Sequence, residues 1–180
     1  MKRRLLIIVP IVAVLVALGA TLAMLKSPGV QARGGGWQPL EGLPPYTDSS
    51  NSPGYCAFRI DNNFYQNKVY TRSETQPDGT VVTRVTGSLK LAATNHNTGK
   101  TLDYNISGPG AITTYPDQSI LIVGEGLGIQ FFPPAAQQQF HLPAVAYIKG
   151  KYTESLDSQG TVTSFTHDSA TISDVCAALS

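Results

Sequence analysis

Glu125 is the side chain in this sequence whose surroundings best suggest acid–base chemistry. If residues 121–131 form a strand, Glu125 falls on the apolar face, and the flanking glycines leave space on the other face. A carboxyl group held among aliphatic side chains has a raised pKa and can serve as a general acid or base. Asp103 or Tyr104 is its nearest candidate partner, if their strand lies beside it. The alternative is a β-bulge at one of the glycines, which turns Glu125 to solvent.

The remaining reactive residue types do not form a metal or nucleophile pattern. No two histidines stand at ligand spacing: His96, His141 and His167. The two cysteines have no local partner for a zinc site. There is no G-x-S-x-G motif, and the glycine clusters at residues 108–110 and 124–128 lie in strand-like surroundings rather than at the start of a helix. We therefore predict no metal and no cofactor.

An apolar run at residues 5–25, preceded by Lys2, Arg3 and Arg4, directs the chain out of the cytoplasm. It is about as long as a membrane span, roughly 20 residues, and it has no polar face that a surface helix would need. Small residues around Ala32 resemble a signal-peptidase site. Residues 1–32 are thus predicted to be either a cleaved signal peptide or an uncleaved membrane anchor, and the protein to be secreted or anchored outside the membrane.

Charge is sparse and balanced along the chain. There are 13 Lys and Arg residues against 12 Asp and Glu, and charged residues make up only 14% of the sequence. Nucleic-acid binding requires a basic stripe, which is absent, so we predict no nucleic-acid partner. Residues 33–54 are rich in Gly, Pro and Ser and are predicted to be a linker. Within it, Trp37 and Leu40 either pack loosely on the following domain or near the bilayer surface, or take part in peptide recognition.

Residues 55–180 show short alternating segments separated by turn residues, which predicts an all-β exported domain. The alternation over residues 81–91 indicates one long strand bent at Gly87. Hairpin turns are predicted at residues 77–79, 116–118 and 157–160. The expected architecture is an antiparallel meander of about eight strands, as a barrel rather than a sandwich, followed by a short C-terminal helix after Ser173.

Residues 132–143 contain several prolines and no regular period, so they are predicted to be a long loop. Phe140 and His141 near its end are candidate binding residues, together with Trp37. The simpler alternative is that the loop folds over the open end of the sheet through its own apolar side chains. Either arrangement places these residues at the domain surface.

Cys56 and Cys176 lie at the two ends of the domain. An even number of cysteines in an exported chain favours oxidation, so we predict an intramolecular disulfide between them. Two free thiols or an intermolecular bridge are the alternatives. The bond would fasten the start of the first strand to the C-terminal helix.

A leader, a Gly/Pro-rich linker and a characteristic series of turns follow one another in this chain. The segments are Tyr55-Cys56-Ala57-Phe58, Gln76-Pro77-Asp78-Gly79-Thr80, Thr94-Asn95-His96-Asn97-Thr98-Gly99-Lys100, Asn105-Ile106-Ser107-Gly108-Pro109-Gly110 and Asp174-Val175-Cys176-Ala177-Ala178-Leu179. Together they resemble short exported β-rich proteins of actinobacteria. The resemblance implies an exported β-domain and implies no catalytic residues.

Two classes of function agree with these features. The first is a non-enzymatic extracytoplasmic module that binds a protein partner or a small apolar ligand. The second is a small β-barrel enzyme that uses Glu125 as an interior carboxylate. The position of Glu125, either inside or facing solvent, distinguishes them.

Overall fold

The computed structural model describes residues 35–40, 46–48 and 55–180. This part of the chain forms one antiparallel sheet of ten strands with two short helices. The first five strands are β1 (Gln38–Pro39), β2 (Tyr46–Asp48), β3 (Ile60–Thr75), β4 (Val81–Asn95) and β5 (Thr101–Asn105). The remaining elements are β6 (Gly110–Thr114), β7 (Ile120–Phe131), α1 (Pro134–Phe140), β8 (Val145–Leu156), β9 (Val162–Thr166), β10 (Thr171–Asp174) and α2 (Val175–Leu179). The antiparallel all-β class predicted from the sequence is confirmed.

Two long hairpins, β3–β4 and β7–β8, form the centre of the sheet. The free edge of β4 is shared by β5 and β6, and the free edge of β8 is shared by β9 and β10. The main path runs β1-β3-β4-β6-β7-β8-β10, and its two ends do not pair with each other. The sheet is therefore open, and the closed barrel favoured by the sequence pattern is not supported. A bent strand permits closure but does not supply the hydrogen bonds that closure requires.

The predicted bend at Gly87 is confirmed. Gly87 has φ of +125°, and a Cβ there would lie 2.1 Å from the carbonyl oxygen of Lys68 on β3. Only glycine allows both this dihedral angle and this approach. The three predicted hairpin turns also occur, and in each an aspartate side chain accepts backbone hydrogen bonds two or more residues ahead. These aspartates are Asp78, Asp117 and Asp157.

Residues 134–140 form helix α1, where the sequence pattern predicted a loop. Pro134 occupies the first turn, where a backbone N–H would have no hydrogen-bond partner within the helix, so its absence costs nothing. The alanines and glutamines after it are good helix formers, and His141 ends the helix in the left-handed conformation with φ of +54°. The prolines therefore bound the helix instead of preventing it.

Part of the predicted linker pairs with the domain. Residues 38–39 add to β3 as β1, and residues 46–48 add to it as β2. The backbone N–H of Leu40 donates to the carbonyl oxygen of Val69 at 2.8 Å, and the Leu40 side chain is buried against Val69 and Leu89. The interpretation that Leu40 packs on the domain is confirmed.

The predicted disulfide joins Cys56 to Cys176, with their Cα atoms 5.2 Å apart. It ties α2 to the segment before β3. Helix α2 begins after Asp174, whose carboxylate accepts a hydrogen bond from the Ala177 N–H at 3.1 Å. Asn95 at the end of β4 donates to the carbonyl oxygen of Leu179 at 3.1 Å. The C-terminal helix is thus confirmed, with Asp174 rather than Ser173 as its capping residue.

The apolar run at residues 5–25 and the cleavage site near Ala32 lie outside the described residues. Neither α1 nor α2, the helices in the described part, has the length and apolar character of a membrane span.

Candidate functional site

A crevice of about 120 Å³ lies where β7 faces the segment between β5 and β6. Five glycines line it, three of them at alternate positions of β7, together with apolar side chains and Glu125. Two buried polar side chains, Gln130 and Tyr152, stand among these glycines. The residues that give the crevice its character are Gly108, Gly124, Gly126, Gly128, Gln130 and Tyr152.

The glycines make room for the Tyr152 ring. Gly124 and Tyr152 are direct cross-strand partners, and a Cβ at Gly124 would lie 2.2 Å from a ring carbon of Tyr152. A Cβ at Gly128 would meet the Tyr152 hydroxyl at an ordinary 3.5 Å. Gly126 has φ of +127°, and a Cβ there would lie 2.8 Å from the carbonyl oxygen of Ser107. On either side of it, the N–H groups of Glu125 and Leu127 donate to the β5–β6 segment. The glycines therefore let the Tyr152 ring and the β5–β6 backbone come close to β7, and residues of all three line the crevice.

The polar groups of the crevice are hydrogen-bonded to each other. Gln130 Nε2 donates to Tyr152 Oη at 2.7 Å, and both side chains are buried. Burial raises the pKa of Tyr152 to about 12, although the Gln130 hydrogen bond opposes the shift. The phenol is therefore neutral at physiological pH. Its proton is not used in the bond to Gln130 and can be donated to a bound group.

A second carboxyl group, Glu154, is the interior acid of this domain. It is only 4% exposed, and its cross-strand neighbours Ile122 and Phe165 are buried apolar residues. Its Oε2 atom has no hydrogen-bond partner within the described part. Burial raises the pKa of Glu154 to about 7. The sequence signal was its alternation with Tyr152 and Leu156, which share its face of β8.

Glu125 faces solvent, which was the alternative to an interior position, and it lies in the lining of the crevice. No bulge causes this exposure, because β7 pairs with β8 through Gly124 and Gly126 without a register shift. The Glu125 side chain is 52% exposed, and it forms an ion pair with Lys151, its cross-strand partner, at 3.3 Å. Period two does hold along β7, but that face is buried only towards its end, at Ile129 and Phe131. Around Glu125 the same face is open to solvent, so alternation was not evidence of burial there.

The suggested partners of Glu125 lie on another strand. Asp103 and Tyr104 belong to β5, which pairs with β4. The Tyr104 ring packs edge-to-face against Tyr147, with centroids 5.0 Å apart. The structure thus does not place either residue in the β7 ladder beside Glu125.

The three surface candidates are separate from the crevice. Phe140 is partly buried and packs against the core from α1, whereas His141 is exposed at the end of that helix. Trp37 is 45% exposed beside β1. None of the three belongs to the crevice lining, and their roles in binding stay predictions.

The described residues contain no group of three or more His, Cys, Asp or Glu side chains placed to hold a metal ion. No protein-family model, curated protein or solved structure matches the chain at a significant level.

Proposed function

We propose that this protein is a non-enzymatic, extracytoplasmic module that binds a small apolar group in the glycine-lined crevice of β7. The observation that carries the proposal is the convergence of the Tyr152 hydroxyl and the Gln130 amide in a crevice whose other lining residues, apart from Glu125, are apolar or glycine. Apolar pockets with a few placed polar groups are the usual form of ligand sites. The disulfide is consistent with an oxidising compartment, and the apolar run at residues 5–25 supports export. We also propose membership among the short exported β-rich proteins of actinobacteria, on the turn and cysteine pattern.

The volume limits the class of ligand. Drug-sized ligands occupy pockets of about 300–1,000 Å³, whereas an apolar cavity of about 150 Å³ accepts benzene. At about 120 Å³ the crevice suits one ring or one short branched chain. A hydroxyl or carbonyl on that group would exchange a hydrogen bond with Tyr152 or Gln130. Single-ring alcohols and phenols are therefore suitable probes.

For the enzyme alternative, Glu154 replaces Glu125 as the candidate interior carboxyl group. Its pKa of about 7 would suit a general base. A general base must come within about 2.6–3.2 Å of the proton that it removes. Glu154 is not among the residues that line the crevice, and its cross-strand neighbours are buried apolar side chains. A substrate in the crevice would have no such access to Glu154. Glu125, the carboxyl group that does line the crevice, is half exposed and paired with Lys151. Binding without catalysis is therefore the better-supported function.

Filling the crevice is expected to abolish binding of phenol. Gly128→Val places its Cβ at ordinary contact distance from Tyr152 and suits a strand, so the protein should fold while the space is lost. We expect phenol affinity to fall by about tenfold or more, as measured by saturation-transfer NMR on the purified protein. Gly36→Val is the matched control, because nothing lies within 4 Å of a Cβ there.

Two outcomes contradict the proposed function. One is equal phenol binding by wild type and Gly128→Val. The other is that wild type binds neither phenol, benzyl alcohol nor cyclohexanol above the level of Gly128→Val.

A further inference from the structure

The outward face of the β3–β4 hairpin carries an aromatic–basic patch, which we define as Trp37, Lys68, Tyr70, Arg72 and Arg84. The register brings them to one face. Pro39 pairs with Tyr70 and Arg72 pairs with Arg84, while the alternate residue Val69 points into the core. All five patch residues are exposed. Such a grouping of large aromatic rings with cations on one exposed face requires an explanation.

The patch is positively charged in a chain that is otherwise nearly neutral. It holds three cations, and the single acid Glu74 is shared by Arg72 at 2.6 Å and Arg84 at 3.4 Å. Lys68 has no such acid among the described ion pairs. Whole-chain charge is balanced at 13 basic against 12 acidic residues, so the patch is a local excess. Its charge is complementary to an anionic surface.

The covalent chain limits where this face can lie. Eleven residues, 26–36, separate the apolar run from Trp37. Fully extended they span at most about 40 Å, and as a flexible chain they span roughly 20 Å. Trp37 precedes β1, which is fixed to β3 by backbone pairing. If residues 5–25 stay in the bilayer, the patch contains Trp37, the point at which the domain is tethered to it.

We propose that the aromatic–basic patch docks the domain on the anionic headgroups of the membrane in which residues 5–25 are anchored. Trp and Tyr rings are favoured at the headgroup level, and opposite charges attract basic side chains to acidic lipid headgroups. The proposal rests on an uncleaved anchor and is independent of the crevice. Docking in this way fixes the orientation of the domain relative to the membrane surface.

Trp37 is the single tryptophan of the chain, which makes a fluorescence test direct. The full chain carrying Trp37→Phe and Tyr70→Trp is placed in vesicles with a headgroup spin-labelled lipid. Its matched reporter carries Trp37→Phe and Ser164→Trp, because Ser164 is exposed on β9 at the far side of the sheet. In vesicles that contain phosphatidylglycerol, we expect the spin-labelled lipid to quench the Tyr70→Trp reporter at least about twice as strongly as it quenches the Ser164→Trp reporter. High salt or neutral phosphatidylcholine should remove this difference.

Charge variants distinguish an effect of the aromatic–basic patch from an effect of the protein's net charge. Lys68→Glu with Arg84→Glu should reduce quenching to the level of the Ser164→Trp reporter. Lys149→Glu with Lys151→Glu changes the net charge equally on exposed β8 positions and should leave quenching unchanged. The proposal would be overturned if both reporters were quenched equally, or if quenching were as strong in neutral vesicles as in anionic ones. A mature protein that begins at residue 33 would also overturn the proposal, because it lacks the anchor. None of these results bears on phenol binding in the crevice, so the two proposals can fail separately.

Discussion

Replacing both cysteines by serine, through Cys56→Ser and Cys176→Ser, is expected to lower the free energy of unfolding by about 3–5 kcal/mol. The bond joins residues 120 positions apart and encloses nearly the whole domain. A cross-link over such a loop removes much of the entropy of the unfolded chain, on the order of 5 kcal/mol in the chain-entropy model. Against a typical net stability of about 5–15 kcal/mol, the loss is large.

Urea denaturation of the two proteins measures this difference. Reducing the wild-type disulfide should reproduce the stability of the double serine variant, and the same reductant should not change the variant. Both serine substitutions are small and polar at partly buried positions, so packing losses are minor beside the lost cross-link. A decrease below about 1 kcal/mol would contradict the assignment of a stabilising bridge.

The stability of the wild-type protein is expected to fall as the pH rises from about 4.5 to above 7 because of Glu154. Its folded pKa of about 7 lies above the ordinary 4.5, so the folded state binds the proton more tightly than the unfolded state does. The contribution of Glu154 is fully present below pH 4.5 and is lost as the pH rises through 7. A shift of this size corresponds to about 3 kcal/mol.

The variant Glu154→Gln has no carboxyl group to ionise at this position. It should therefore be more stable than wild type at pH 8. Its free energy of unfolding should also fall much less than that of wild type as the pH rises from about 4.5 to above 7. Glu125→Gln is the matched control, because it makes the same change of side chain at an exposed position of the neighbouring strand. Urea denaturation at pH 5 and pH 8 gives the comparison. A wild-type decline that persists in Glu154→Gln would show that another group causes it.

Local features of the fold were predictable from the sequence. The turns at Asp78, Asp117 and Asp157 depend on a few adjacent residues, so each hairpin could be placed without knowing the rest of the sheet. The bend at Gly87 followed from a glycine inside a long alternating segment. The pairing of Cys56 with Cys176 required only that the chain be exported and hold two cysteines.

The position of the interior acid was not predictable from alternation alone. Glu125 and Glu154 both alternate with apolar residues, and only tertiary packing decides that the second is buried and the first exposed. The glycines beside Glu125 did indicate free space along this strand, and the crevice lies there with Glu125 in its lining. The sequence pattern therefore identified the strand that lines the crevice, but it left open whether Glu125 is buried and did not indicate Glu154.

Closure of the sheet and the docking of the linker also depend on long-range contacts. A bend at Gly87 is compatible with an open or a closed sheet, and only the pairing of the last strands distinguishes them. Leu40 lies among Gly, Pro and Ser residues, yet it finds an apolar site between Val69 and Leu89. A single well-placed apolar residue can thus attach a segment that composition alone describes as a linker.

A crystal structure of the protein grown with phenol tests binding in the crevice most directly. The proposed function predicts a phenol ring between Gly108 and Gly128, with its hydroxyl within hydrogen-bond distance of Tyr152 or Gln130. An empty crevice at a saturating phenol concentration, or phenol bound only at another surface, would contradict it.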